Sequence, residues 1–142
     1  MQPKSIVLSQ TDYENLNELL ARLSSRRLPQ VEALENELAG AQIVGEEDLP
    51  KTVVTLNSSV EYEDLATGKT KRVQITLPED ADISRGRISV LAPVGSALLG
   101  LAVGQSIEWP LPGGRKTELR IRRVLAPEAV EEEAGAYSRK AS

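Results

Sequence analysis

The chain contains no cysteine, no histidine and no phenylalanine, and aromatic residues make up only 3% of it. Without thiols or imidazoles it cannot build a Ser–His–Asp triad, a nucleophilic cysteine or a metal site with thiolate or imidazole ligands. A metal would need carboxylate ligands, as Mg²⁺ and Ca²⁺ prefer. The lack of cysteine suits a reducing cytosol. The scarcity of aromatic residues predicts a core of Leu, Val and Ile.

Charge and hydropathy exclude further classes of protein. There are 17 basic and 21 acidic residues, and the net charge of −4 argues against a general nucleic-acid binder or a reader of a specific DNA sequence. The basic stretch at residues 115–123 could touch phosphate, but a charged strand face is usually only solvated. No apolar run has the length of a signal-peptide core or a membrane span. We therefore expect a cytoplasmic protein with no membrane partner.

The first third of the chain has a helical period. Thr11 and Glu14 fit a capping box, and Pro29 suits the first residue of a second helix. Two apolar stripes at three- and four-residue spacing follow these signals, namely Tyr13, Leu16, Leu19 or Leu20 and Leu23, then Val31, Leu34, Leu38 and Ala41. Together they predict a short antiparallel helical hairpin of coiled-coil type within residues 1–45.

The rest of the chain has the period of strands. After a linker at residues 46–51, strand-like runs are separated by the turn signals NSS, ATGK and PGGR, and the stretch VGSALLGLAVG predicts a short helix. The fold class expected is therefore α+β, with an antiparallel sheet domain at residues 52–126. Residues 127–142 are small and charged, and we expect them to form a flexible tail.

Two glycine-containing stretches fail as phosphate sites. GEEDLPKT resembles a P-loop, but Pro50 replaces the second glycine and removes a backbone donor, and three acidic residues would repel phosphate. Gly95, Gly100 and Gly104 do not form G-x-G-x-x-G, and we expect them to allow tight turns and close packing. No cofactor or metal site is predicted.

The sheet region carries a recognisable pattern. The residues concerned are Ile88, Ser89, Pro93, Ala97, Leu98, Leu99, Gly104, Pro112 and Gly114. In this order and spacing they resemble the carboxy-terminal domain of the Gre transcript-cleavage factors of bacterial RNA polymerase. The segments VVTLNS, APVGSALLGL and PLPGG resemble more closely a branch of that family with a shortened hairpin. The resemblance covers the chain up to about residue 126.

The resemblance implies an FKBP-like sheet domain and binding to RNA polymerase near its secondary channel. In Gre factors a long coiled coil enters that channel, and an acidic pair at its tip holds Mg²⁺. Here the hairpin is too short, and Arg26 and Arg27 stand at its tip. Transcript cleavage is therefore not expected. We expect instead a monomeric, non-catalytic regulator that competes with longer factors, with Arg26 and Arg27 facing acidic polymerase surface.

The family's docking loop carries an aspartate two residues before a proline. Here Leu91 occupies that position, Ala92 follows, and Pro93 is retained. The resemblance assigns polymerase docking to these three residues, with an apolar contact replacing a polar one.

Two catalytic alternatives remain open at this point. One is a Gre-like cleavage factor, and the other is an FKBP-like prolyl isomerase. An isomerase needs a largely aromatic pocket, and Trp109 and Tyr62 are the only aromatic residues of the sheet region. We expect Trp109 to lie in or near the core instead.

Overall fold

The computed structural model describes residues 6–23 and 28–126, and the fold is α+β as predicted. The predicted tail at residues 127–142 and the hairpin tip with Arg26 and Arg27 lie outside the described residues.

The N-terminal region consists of two helices between two short strands. These elements are β1 (Val7–Ser9), α1 (Gln10–Leu23), α2 (Pro29–Ala39) and β2 (Gln42–Val44). β1 and β2 pair in parallel, with Val7 opposite Gln42. The sequence gives no periodic signal for β2, because it has only three residues and its hydrogen-bonding partner lies before both helices. The two strands bring both ends of the helical segment together.

The helix starts follow two different rules. Pro29 is the first residue of α2, as predicted. The predicted capping box at Thr11 and Glu14 is wrong, because β1 runs directly into α1 and Ser9 takes the capping position. The Asp12 N–H donates to Ser9 Oγ at 3.1 Å.

The predicted apolar stripes face the interior. Their buried members are Leu16, Leu19 and Leu20 on α1 and Val31, Leu34 and Leu38 on α2. The helices have 14 and 11 residues, which at 1.5 Å per residue gives lengths of about 21 and 17 Å. No helix within residues 6–23 and 28–126 is long and apolar enough to cross a membrane. Coiled-coil geometry stays a prediction.

A five-stranded sheet follows. Its strands are β3 (Ser59–Asp64), β4 (Thr70–Thr76), β5 (Arg87–Ser89), β6 (Ser106–Pro110) and β7 (Lys116–Leu125), in the order β5-β4-β3-β7-β6. The prediction of an antiparallel sheet is wrong at one edge, where β5 is parallel to β4. Two 3₁₀ turns between these strands carry the chain back to the level of Gln74, so that β5 runs beside the last three residues of β4. A crossover therefore replaces a hairpin. The sheet is therefore mixed.

One predicted strand is wrong, because the run at residues 52–56 before the NSS turn forms only an isolated bridge, between Val53 and Ala102. The signals for two other turns and for the short helix agree with the structure. The ATGK turn connects the antiparallel strands β3 and β4, and the PGGR turn connects β6 and β7. The predicted short helix is α3 (Pro93–Leu98), which follows β5.

The hydrophobic core is one cluster that includes both the helices and the sheet. Leu34 on α2 and Ile75 on β4 are both fully buried, and each such side chain contributes about 1.5–3 kcal/mol by leaving water. Tyr62 is the single aromatic among the buried apolar residues of the described part, which confirms the predicted aliphatic core. Trp109 packs partly buried against it. The division at residues 46–51 stays a prediction.

Candidate functional site

The candidate docking turn consists of Leu91, Ala92 and Pro93, and only Val90 separates it from β5. The backbone N–H groups of three consecutive residues, 90–92, are all hydrogen-bonded. The Val90 N–H donates to the Thr76 carbonyl oxygen at 2.8 Å, and the Ala92 N–H donates to the Ser89 carbonyl oxygen at 2.9 Å. Between them, the Leu91 N–H donates to Ser89 Oγ at 3.0 Å. The turn therefore presents its side chains in one geometry.

Pro93 joins the docking turn to α3. It is the first residue of that helix, where a missing N–H leaves no partner unsatisfied. The Ser96 N–H donates to the Ala92 carbonyl oxygen at 2.9 Å. Pro93 is exposed, whereas Leu91 and Ala92 are half-buried, and Leu91 also packs against the core. The surface of the turn is thus a short apolar ridge.

Gly95 lets α3 lie directly on the end of β5. A Cβ at this position would come within 2.2 Å of the Ser89 carbonyl oxygen, far inside van der Waals contact. Only glycine fits here without a shift of the backbone. The predicted role of this glycine, close packing, is confirmed.

The hairpin base, which we define as β1, β2 and the first turn of α1, attaches to the sheet region through Gly100. The Val7 N–H donates to the Gly100 carbonyl oxygen at 3.0 Å, and the Gly100 N–H donates to the Val54 carbonyl oxygen at 3.0 Å. Gly100 has a φ of 81°, and a Cβ there would lie 2.7 Å from the Ile6 Cβ. One glycine therefore connects β1 to two segments of the sheet region.

Asp12 is a buried carboxylate at the hairpin base, with an exposed fraction of 9%. Its Oδ2 accepts a hydrogen bond from the Leu56 N–H at 3.0 Å, across 44 positions of the sequence. Burial raises the pKa of Asp12 to about 6. The bond from Leu56 opposes that rise, and the negative charge of Glu46 adds to it. Sequence reasoning missed Asp12, because an acidic residue in the first turn of a helix is ordinary.

A cavity of about 680 Å³ lies beside Asp12. Its polar lining comes from Ser9, Thr11, Asp12, Glu46, Lys51 and Thr55, and the remaining lining residues are aliphatic or proline. The cavity runs from the hairpin base to the last residues of β7. No pattern in the sequence indicates it, because its walls come from three separate segments.

Two of the five basic residues at positions 115–123 pair with acidic neighbours. Arg122 contacts Glu63 Oε1 through Nε at 2.6 Å and through Nη2 at 2.5 Å. Lys116 Nζ lies 3.8 Å from Glu108 Oε2. The two ion pairs reduce, but do not remove, the positive field that could attract a phosphate backbone.

Arg26 and Arg27 lie outside the described residues, so their place relative to the docking turn stays a prediction. In the last turn of α1, Arg22 Nη2 lies 3.8 Å from Glu79 Oε1 in the turn after β4. Across the described ranges, no group of three or more acidic residues is arranged to hold a metal ion.

Comparison with known families identifies both parts of the chain. The family described as "Transcription elongation factor, GreA/GreB, C-term" matches residues 49–125, and the family described as "Rnk N-terminus" matches residues 4–44. The docking turn, Gly95 and Gly100 all fall within the first match, and Asp12 falls within the second.

Individual relatives agree with these families. A regulator of nucleoside diphosphate kinase from Escherichia coli (strain K12) is 40% identical over 130 residues, which is 91% of this chain and 96% of the relative. GreA from Desulfovibrio desulfuricans is 30% identical over 145 residues, covering 80% of this chain and 90% of the relative. A solved GreA/GreB structure from Nitrosomonas europaea is 44% identical with a TM-score of 0.73, and covers 87% of this chain and 100% of that chain.

Proposed function

The chain belongs to the GreA/GreB family of transcription elongation factors, in the branch of the regulator of nucleoside diphosphate kinase (Rnk), and we propose that it regulates transcription by binding RNA polymerase at the rim of the secondary channel. The observation that carries the proposal is the docking turn. It is exposed at Pro93, fixed by two backbone–backbone hydrogen bonds and one bond from the Leu91 N–H to Ser89 Oγ, and located in the region that matches GreA/GreB. A turn fixed before binding loses little conformational entropy when a partner docks.

The polymerase contact proposed for this turn is apolar. Leu91 stands where other Gre factors carry an aspartate, and the neighbouring Ala92 and Pro93 are also apolar. A rim contact through these side chains gains free energy from burial rather than from charge. Binding through this turn is therefore expected to depend weakly on salt.

We propose that binding occurs without catalysis. At about 21 and 17 Å, the helices are too short to reach a polymerase active centre through a channel. Arg26 and Arg27 at the hairpin tip are cationic and cannot hold Mg²⁺. In this proposal they meet acidic polymerase surface at the channel mouth, where the protein competes with longer Gre factors.

The same proposal covers the setting of this activity. The protein acts in the cytoplasm as a monomer and recognises no specific DNA sequence, in keeping with its net charge of −4. The name of the Escherichia coli relative refers to nucleoside diphosphate kinase. We propose that any effect of this chain on that enzyme is indirect and results from a change in transcription.

The alternative of an FKBP-like prolyl isomerase receives little support. The FKBP-like classification of the sheet region remains part of the proposal, but fold does not imply activity. Tyr62 is buried in the core, Trp109 packs against that core, and the 680 Å³ cavity has no aromatic lining residue. These positions do not form a pocket for proline.

A competition experiment tests the proposed binding. Core polymerase immobilised on beads is expected to retain the protein, and an excess of a Gre factor is expected to displace it. Leu91→Ser should weaken binding about tenfold, the loss typical of a central interface residue. Ile83→Ser is the matched control, because Ile83 is 86% exposed and lies outside the docking turn.

A second variant separates docking from stability. Leu91 contacts the core, so its substitution also affects folding, whereas Pro93 is exposed and Pro93→Ser should weaken binding with little loss of stability. Retention that excess Gre factor leaves unchanged would refute the rim site. Equal losses for the Leu91 and Ile83 variants would refute the docking turn.

A further inference from the structure

The 680 Å³ cavity beside the hairpin base has the features of a small-molecule site and plays no part in the proposed polymerase contact. Ligand sites usually have volumes of about 300–1,000 Å³, with apolar walls and a few polar groups. Here Leu49, Val53 and Leu56 supply apolar wall, and Asp12 supplies a carboxylate. The cavity therefore pairs one buried charge with an aliphatic surface.

The charge of Asp12 is poorly compensated. Its Oδ2 accepts the bond from Leu56, and Oδ1 accepts none from residues within the described ranges. The neighbouring charge that acts on it is that of Glu46, which repels it. Lys51 also lines the cavity, but among the described residues it forms no ion pair. A buried carboxylate in this condition is costly and favours a cationic partner.

We propose that this cavity binds an alkyl-ammonium group, with the ammonium on Asp12 and the alkyl chain against Leu49, Val53 and Leu56. The carboxylate supplies charge and a hydrogen-bond acceptor, and the aliphatic wall supplies apolar contact. Glu46 at the cavity favours the same sign of ligand charge. This inference is independent of polymerase binding.

The amide of Leu56 is a built-in reporter, because it donates to the proposed ligand-binding carboxylate. Hexylamine at about pH 8 is a suitable probe, since alkyl amines have a pKa of about 10.4 and remain charged. In the full-length chain, hexylammonium is expected to shift the ¹H–¹⁵N signal of Leu56 in a saturable manner. 1-Hexanol has the same chain without the charge and is expected to leave that signal in place.

Matched variants test the role of the carboxylate. Asp12→Asn should weaken hexylammonium binding by about tenfold or more, the usual worth of a charged hydrogen bond. Asp48→Asn makes the same chemical change in the exposed turn beside Glu46, at a residue outside the cavity lining, and should bind like the parent. Thermal unfolding of both variants checks that they are folded.

Three results would overturn the proposal. The first is no saturable shift at Leu56, and the second is an equal response to 1-hexanol. The third is that a cationic side chain of this chain itself occupies the cavity. Lys4, Arg139 and Lys140, which lie outside the described residues, are the candidates. In that event the variant Lys4→Gln, Arg139→Gln, Lys140→Gln would move the Leu56 signal before any amine is added.

A final comparison distinguishes two sources of the ammonium group. Spermidine represents free polyamines, and N-acetyl-lysine-N-methylamide represents a lysine side chain of a partner. Tighter binding of spermidine assigns the cavity to a soluble amine, and tighter binding of the lysine derivative assigns it to a protein side chain. Binding of neither compound would contradict the proposal.

Discussion

The docking turn and the hairpin base are attached to the same core by different kinds of interaction. The turn at residues 91–93 is fixed by neutral hydrogen bonds and by the contact of Gly95 with β5. The base includes the same kinds of bond at Gly100, but it also buries the charge of Asp12. The geometry of the turn is therefore insensitive to pH, whereas burial of the Asp12 charge costs the base free energy that protonation restores.

Of the substitutions proposed for these two regions, Gly95→Ala is expected to change stability the most, because it disrupts the packing that fixes the docking turn. The new Cβ would meet the Ser89 carbonyl oxygen at 2.2 Å, so α3 must move away from β5. We expect a loss of about 3 kcal/mol in the free energy of unfolding, together with loss of polymerase retention. Urea unfolding followed by Trp109 fluorescence measures the first quantity.

Gly40→Ala is the control for that substitution. Gly40 follows α2 with a φ of −97°, and an added Cβ would meet nothing within 4 Å. Its stability should stay within about 0.5 kcal/mol of the parent. Similar losses for both variants would show that the contact at Gly95 is not what holds the turn.

At the hairpin base, Asp12→Asn is expected to raise the free energy of unfolding, by somewhat less than Gly95→Ala lowers it. The pKa of Asp12 rises from its ordinary value of 3.8 to about 6 on folding, so the folded state binds the proton more tightly than the unfolded chain does. The stability that this group contributes is greatest below pH 3.8, declines as the pH rises to about 6 and is constant above that. The free energy of unfolding of Asp12→Asn should therefore equal that of the parent in acid. Above a pH of about 6 it should exceed that of the parent by about 2–3 kcal/mol.

The measurement for Asp12→Asn is the difference in unfolding free energy between variant and parent across this pH range. Taking the difference cancels the titration of other groups, including Asp64 and Asp82, whose pKa values are lowered by hydrogen bonds from Thr117 and Ser84 respectively. A difference that does not change with pH would contradict the electrostatic account of the base.

Ser89→Ala is expected to have the smallest effect on stability, because it removes one hydrogen bond of the docking turn and leaves the packing unchanged. The Leu91 N–H loses its acceptor Ser89 Oγ, at a cost of about 1 kcal/mol. Polymerase affinity should fall about threefold. Ser84→Ala, which removes a hydroxyl that donates to Asp82 in an exposed turn, should leave affinity unchanged, and an equal fall would argue against the role of Ser89.

Local signals predicted the elements that depend on neighbouring residues. Pro29 and Pro93 each begin a helix, the apolar stripes give the buried faces of α1 and α2, and the ATGK and PGGR turns connect strand pairs. Each of these features depends on a short stretch of sequence, so periodicity and turn chemistry were sufficient to find it.

Features that join distant segments were not predictable in the same way. The parallel pairing of β1 with β2 and of β4 with β5 depends on crossovers, and Asp12 meets its partner Leu56 only in the folded chain. Of the candidate site, the turn at residues 91–93 was located from its motif. The cavity was not located, because no single stretch of sequence contains it.

The parallel pair β1 and β2 has a consequence for how such proteins vary in length. Both ends of the helical segment are held at one place, by the ladder from Val7 to Val44 and by Gly100. Whole heptads inserted symmetrically into α1 and α2 would lengthen the two helices while leaving the hairpin base and the docking turn unchanged. The length of the helical hairpin can therefore change without any change in the hairpin base or in the surface that docks.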